Sequence, residues 1–284
     1  MTSSTPGDTM YKRILVALSG TPFTPSAVRY ALELAARHEA QVTGLALRDN
    51  SLVENVGAVP LGGSAAAEGL IEGRVQEIEQ RIDTEVRQFE LTCQRAGIEP
   101  KILRKSQETS RALADLWRYH DLTIIGLRGL FEYGVVKNPT DVVARLISQR
   151  VRPIVAVARD YRPIRRVLVA YNGSMGSASA FKSFIRSQLW PDLTIKIVVF
   201  NRDDEAHSLL TNAAEYCAAY GHEVKTEHVK CSTPRDELLA HAYAWNADMI
   251  VMGARSRTHF IDHILGSMTT QILRNAEIPI YLTA

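Results

Sequence analysis

The chain has 284 residues, enough for two domains of ordinary size, and its 33 basic residues nearly balance 31 acidic ones. With 46% hydrophobic and 23% charged residues it has the composition of a globular protein, without the clustered basic charge of nucleic-acid-binding domains. Its apolar runs are far shorter than the roughly 20 residues that span a bilayer, and its start lacks a secretory signal, so we expect a cytoplasmic protein without membrane or nucleic-acid partners.

The first half of the chain predicts five short, buried strands. After a predicted disordered tail at 1–10, these strands fall at 12–18, 41–47, 99–104, 121–126 and 153–158. The segment 51–70 is rich in Gly and Ala without helical periodicity, and it predicts a mobile excursion. From 71 to 96, apolar residues recur three or four positions apart, which predicts an amphipathic helix that Gly97 ends.

The second half repeats this order. "KRILVALSG" near residue 12 matches "RRVLVAYNG" near residue 165, and "RVRPIVAVA" matches "NAEIPIYLTA". Repeated strands are predicted at 165–171, 193–200, 222–229, 247–252 and 278–283. Strands that alternate with amphipathic helices indicate an α/β fold with a parallel sheet covered on both faces. We place the domain boundary in the polar connection near residue 160, which gives domains at 11–159 and 160–284.

Small and basic residues follow the fourth strand of the second half. In open parallel sheets, ligands bind beyond the carboxyl ends of the strands. Gly253 lets the chain turn sharply there, and Arg255 adds positive charge. Gly266 then allows close approach of a ligand, and Ser267 occupies the N-cap position of a predicted helix. Because a helix N-terminus favours anions, this loop predicts a phosphate site.

The spacing in "GARSRTHFIDHILGS" is Gly253, two residues, Ser256, nine residues and Gly266-Ser267. It resembles the loop of nucleotide-binding members of the universal stress protein family, with Ser256 in place of a Gly. The resemblance covers nearly the whole chain and implies two tandem doubly wound, Rossmann-like domains of the HUP type, each with a five-stranded parallel sheet flanked by helices. It also implies that this loop holds the ribose and phosphates of ATP or AMP, with or without Mg²⁺.

Two further positions in the second half take their roles from the resemblance. Asn172 stands where the family has an Asp near the adenine, and an amide can still hydrogen-bond to a base edge. Phe200 stands late in the second strand, where the family's residue packs on the base through its backbone. Together with the loop, the implied binding residues are Asn172, Phe200, Gly253, Arg255, Ser256, Gly266 and Ser267.

The first half departs further from the family pattern. Gly126 and Gly129 keep the opening of the loop, but Pro139-Thr140 replaces the Gly-Ser pair and Ser19 replaces the Asp. Proline has no N–H, so one donor to a phosphate is missing. We therefore expect the first half to have lost most of its capacity for nucleotides.

Other kinds of site find less support. The three cysteines lie far apart and predict neither a disulfide framework nor a zinc site. His259 and His263 have helical spacing but no third ligand, so no metal site is predicted. "YNGSMGSASA" lacks the G-x-G-x-x-G pattern of dinucleotide-binding folds. No residue near the loop qualifies as a catalytic base, so we predict no catalytic residues.

We therefore predict an adenine-nucleotide sensor or regulator of the stress response that binds its ligand in the second half. The resemblance implies that the halves pack as an intramolecular pseudo-dimer through their last strands, "PIVAVA" and "PIYLTA". A homodimer of such chains and an unidentified protein partner remain open. So do two alternatives: a weak ATPase, and a nucleotide-independent interaction or scaffold protein.

Overall fold

The computed structural model describes residues 11–48, 64–106, 115–127, 153–201, 205–254 and 267–283. The strands are β1 (Arg13–Leu18), β2 (Gln41–Arg48), β3 (Lys101–Ser106), β4 (Leu122–Gly126), β5 (Ile154–Val157), β6 (Arg166–Ala170), β7 (Thr194–Asn201), β8 (Val224–Lys230), β9 (Met249–Gly253) and β10 (Ile280–Thr283). The helices are α1 (Thr24–His38), α2 (Ser64–Arg95), α3 (Met175–Ser187), α4 (Ala206–Ala219), α5 (Pro234–Ala244) and α6 (Ser267–Asn275). The predicted tail at 1–10 lies outside the described residues.

The strands form one 10-stranded sheet in the order β3-β2-β1-β4-β5-β10-β9-β6-β7-β8. Each half places its first strand between its second and its fourth, which is the doubly wound arrangement. Within each half all neighbouring strands are parallel. The prediction of two tandem α/β domains with parallel sheets is confirmed.

The two halves meet where β5 and β10 pair. These last strands, "PIVAVA" and "PIYLTA", run antiparallel with Tyr281 opposite Val155, and they are the strands through which the resemblance implies that the halves pack. Tyr281 is fully buried, and its hydroxyl lies 2.8 Å from Ser183 Oγ on α3. Around the connection between the halves, Tyr30 on α1 donates a hydrogen bond to the carbonyl of Arg162 at 2.6 Å. The pairing of β5 with β10 and the hydrogen bond from Tyr30 thus tie the halves together, whereas the contact between Tyr281 and Ser183 lies within the second half. The domain boundary near 160 stays a prediction.

Each face of the sheet carries its own apolar core. Alternation along β1 sends Ile14 and Val16 to one face and Leu15 to the other. The first face is covered by α1 to α4 and the second by α5 and α6 in the second half. Strands in the middle of the sheet, such as β4 and β10, are buried along their whole length, whereas the residues of the edge strand β8 are partly or fully exposed.

Helix α2 begins earlier than the sequence indicates. Its first residue is Ser64, so the prediction of a non-helical excursion up to residue 70 is wrong for its last part, and 51–63 lie outside the described residues. The run Ala65-Ala66-Ala67 explains the error, because alanine has the highest helix propensity although it gives no amphipathic pattern. Neither α2 nor any other helix in the described ranges combines the length and apolarity needed to cross a bilayer.

Candidate functional site

The carboxyl edge between β6 and β9 is a point where the strand order reverses. From β6 the chain continues to β7 on one side, whereas β9 and β10 lie on the other. Connections that leave a sheet in opposite directions open a crevice between them, and ligands bind there in doubly wound folds. The registers Ala170 with Val198 and Val169 with Val251 bring the residues after β6, late in β7 and at the end of β9 to the same edge.

The turn after β6 is held by the side chain of Asn172. Its Oδ1 accepts hydrogen bonds from the backbone N–H of Ser174 at 3.1 Å and from Ser177 Oγ at 2.7 Å. Gly173 between them has a φ of 73°, a left-handed conformation that costs glycine little. Ser174 then caps α3, since its Oγ accepts from the N–H of Ser177 at 3.3 Å.

These bonds fix the direction of the Asn172 amide. A backbone N–H can only donate, so the atom that meets Ser174 N must be the amide oxygen. The amide NH₂ makes no hydrogen bond within the described part of the chain, and the residue is exposed. Asn172 therefore offers two donors at this edge, whereas the aspartate that the resemblance places here would offer only acceptors.

Gly253 has a packing role that the sequence does not reveal. A Cβ atom built on it would lie 2.5 Å from the carbonyl carbon of Gly176 and 2.7 Å from the nitrogen of Ser177. The end of β9 thus lies directly against the backbone of the first turn of α3. Glycine is required here for that contact, whether or not a ligand also approaches.

Phe200 lies near the end of β7, level with Asn172 when the register of β6 and β7 is extended. Its side chain is buried and meets the ring of His241 on α5 edge-on, with centroids 5.6 Å apart. The side chain therefore belongs to the core on the α5 and α6 face of the sheet, and contact of the Phe200 backbone with a base stays a prediction.

A polar chain behind Phe200 was missed by sequence reasoning. Glu227 on β8 accepts a hydrogen bond from Lys196 Nζ on β7 at 2.7 Å and lies 3.2 Å from His241 Nε2. The hydrogen bond from Lys196 lowers the pKa of the Glu227 carboxyl, and the nearby His241 acts in the same direction. Lys196 also lies over the ring of Trp245, 5.0 Å from its centroid. The residues are far apart in sequence, so no local pattern could have grouped them.

The loop that carries the rest of the predicted site falls largely outside the described residues. This applies to Arg255, Ser256 and Gly266. Helix α6 begins at Ser267, so the residue predicted as the N-cap is the first helical residue, and its capping role stays a prediction. The structure thus brings together Asn172, Phe200 and Gly253.

The corresponding edge of the first half has a similar turn with different side chains. Gly20 has a φ of 62°. Ser19 Oγ lies 3.0 Å from Thr21 Oγ1 and 3.2 Å from Thr24 Oγ1, so the three hydroxyl groups partner one another. Gly126 is the last residue of β4, whereas Gly129 and Pro139-Thr140 lie outside the described residues.

Comparisons with known proteins agree with this architecture. The model of the Universal stress protein family matches residues 10–148 and 197–283. Universal stress protein Slr1230 of Synechocystis sp. is 27% identical over 289 residues, which cover 95% of this chain and 98% of that protein.

Two solved structures have the same fold over nearly the full length. A universal stress protein from Archaeoglobus fulgidus has a TM-score of 0.62 at 16% identity and covers 96% of this chain and 97% of its own. A functionally unknown protein, PA1789, from Pseudomonas aeruginosa has a TM-score of 0.56 at 14% identity and covers 98% of this chain and 94% of its own. With the family model matched in both halves, the chain belongs to the universal stress protein family.

Proposed function

We propose that the second half binds one adenine nucleotide, ATP or AMP, at the carboxyl edge between β6 and β9, and that binding serves as a regulatory signal in the stress response. The observation that carries the proposal is the convergence of Asn172, the backbone of Phe200 and Gly253 where the strand order reverses. The exposed amide of Asn172 supplies donors for a ring nitrogen of a base.

The phosphates would lie against the start of α6. The N–H groups of the first helical turn, at Ser267 and after it, have no partners within the helix and attract anions. Arg255 and Ser256 would add charge and a hydroxyl, and Gly266 would leave room for the phosphates. If ATP is the ligand, Mg²⁺ would accompany it on the phosphates, since this ion keeps several waters and binds through phosphate oxygens.

The first test is to denature freshly purified protein and identify any released nucleotide by mass spectrometry. We expect ATP or AMP at close to one per chain, and none from Gly266→Val, whose side chain would block the approach to the helix. Pro139→Val is the matched control, because residue 139 is the position in the first half that corresponds to Gly266. It should retain the nucleotide.

Other results would favour the remaining alternatives. Protein that releases no nucleotide and binds no added ATP in titration calorimetry would contradict the proposal and favour a nucleotide-independent interaction protein. Steady release of phosphate from ATP that stops in Gly266→Val would instead indicate a weak ATPase at the same site. Equal loss of nucleotide in both variants would assign binding to both halves.

A further inference from the structure

A groove of about 490 Å³ lies between α1 and α2 in the first half. Its floor is formed by Val28 and Leu32 of α1 and Phe89 of α2, each of them buried. Small-molecule sites commonly have volumes of about 300 to 1,000 Å³ and apolar floors with a few polar groups. None of the residues of the proposed nucleotide site lines this groove. It is therefore a separate candidate site.

The polar groups on one rim are already partnered. The guanidinium carbon of Arg29 lies 3.7 Å from the centroid of the Tyr161 ring. The Tyr161 hydroxyl donates a hydrogen bond to Glu33 Oε2 at 3.0 Å. This rim joins a cation and an anion through one aromatic side chain, so its charges largely offset each other.

The opposite rim carries a carboxyl group without such a partner. Glu85 on α2 is half-buried, and within the described residues no group donates a hydrogen bond to it. Burial raises the pKa of Glu85, and the charge of Arg81 offsets this only in part. Arg81 also forms an ion pair with Glu77, with 3.3 Å between Nη2 and Oε1. A partly desolvated carboxylate gains free energy from a cation that reaches it.

We propose that this groove binds an organic cation with an aliphatic body, whose ammonium group pairs with Glu85. The lining carries two carboxyl groups and one guanidinium, which gives it a net negative charge when all three are ionised. An ammonium group would supply the hydrogen bonds that Glu85 lacks, and the aliphatic part would cover Val28, Leu32 and Phe89. This site is independent of the nucleotide and does not require its presence.

The test is titration calorimetry of the full chain with n-octylammonium, with octanoate and 1-octanol as probes of the same chain length. We expect octylammonium to bind about tenfold more tightly than octanoate, because the carboxylate of Glu85 repels the anion. Glu85→Gln keeps the size of the side chain and removes its charge. It should weaken octylammonium binding by about tenfold and leave 1-octanol binding unchanged.

Two more variants separate the groove from the general surface. Glu90→Gln removes an exposed carboxylate of the same helix that does not line the groove, so binding should remain as in the parent protein. Thr92→Trp fills space at the rim and should weaken all three probes. The proposal is overturned if octanoate binds as tightly as octylammonium, if no binding is detected, or if Glu85→Gln and Glu90→Gln behave alike. Nucleotide release in the same preparations reports separately on the second half.

Discussion

The turns after β1 and β6 share a backbone but differ in what they offer to a ligand. Gly20 and Gly173 both adopt positive φ, and in each half a hydroxyl oxygen near the helix start accepts a backbone hydrogen bond: Thr24 Oγ1 from Thr21 N before α1, and Ser174 Oγ from Ser177 N in α3. In the first half the Ser19 hydroxyl is engaged with neighbouring hydroxyls. In the second half Asn172 holds the turn through its oxygen and keeps its NH₂ exposed. The turn of the second half thus uses only the oxygen of the Asn172 amide and leaves its NH₂ group available to a ligand, whereas Ser19 has no such second group.

The largest effect is expected at the end of β9. Gly253→Ala places a methyl group against the backbone of Gly176, which cannot move aside as a flexible side chain would. We expect a loss of about 3 kcal/mol in the free energy of unfolding, measured by urea denaturation. The control Gly73→Ala lies in open space on α2 and should instead gain about 0.5–1 kcal/mol. Equal unfolding midpoints for the two variants would show that the close contact is not real.

The second prediction makes the second half resemble the first. Asn172→Ser shortens the side chain and removes the exposed NH₂, so nucleotide affinity should fall by about tenfold, the loss of roughly 1.4 kcal/mol. Titration calorimetry with ATP and AMP measures this. Ser19→Ala alters the equivalent position of the first half and should leave the affinity unchanged. A stronger effect from Ser19→Ala than from Asn172→Ser would place the nucleotide site in the first half and contradict the proposal.

The third prediction concerns the loss of folding stability at low pH, which we assign to two histidines of the first half. Burial lowers the pKa of His38 and of His120, despite opposing hydrogen bonds to the carbonyls of Leu189 and Leu116. Protonation of His120 is the less favourable of the two, because its Nε2 atom is buried and has no hydrogen-bond partner among the described residues. His120 precedes Asp121 in the first half, whereas Ala247 precedes the matching Asp248 in the second half. The second half therefore has no histidine at the position equivalent to His120.

The direction of the pH dependence follows from proton uptake by the folded and unfolded chains. Below the ordinary histidine pKa of about 6.5, the unfolded chain takes up protons that the folded chain does not. Stability should therefore fall by about 1 kcal/mol from pH 7 to pH 5, and level off below the folded pKa values. Urea unfolding of the double variant His38→Gln, His120→Gln should show a flatter pH dependence, whereas exposed His207→Gln should not. An unchanged slope in the double variant would contradict the assignment.

The smallest effect is expected in the polar chain of the second half. Glu227→Gln removes the ion pair with Lys196 and should cost about 0.5–1 kcal/mol, since Glu227 is partly exposed and screened. The first half has Thr43 where Lys196 stands, so no matching pair exists there within the described residues. The loss of stability caused by Glu227→Gln should be smaller in 1 M salt, because the Debye length is then about 3 Å and the ion pair is screened even in the parent protein. Glu223→Gln, at an exposed position, is the control. An equal loss of unfolding free energy in this variant would indicate that the change in net charge, and not the lost ion pair, causes the effect.

Sequence reasoning located the strands well because buried parallel strands are continuous apolar runs. It also found the repeat and the carboxyl edge at which we propose the nucleotide site. It misplaced the start of α2, since the Ala-rich segment gives no amphipathic signal. It could not assign Gly253 its contact with Gly176, nor join Lys196 to His241 through Glu227, because such contacts depend on how distant segments pack. Whether Arg255, Ser256 and Gly266 bind phosphate stays a prediction.

The pairing of β5 with β10 affects which substitutions such a protein can accumulate during evolution. If two identical chains met through these strands, every substitution would appear twice, and a variant that lost one binding edge would lose both. Here the partner is part of the same chain, so its local concentration is fixed by the connection and does not fall on dilution. A proline could therefore enter one loop while the other kept its Gly-Ser pair. Covalent linkage lets one half specialise while the other continues to complete the sheet.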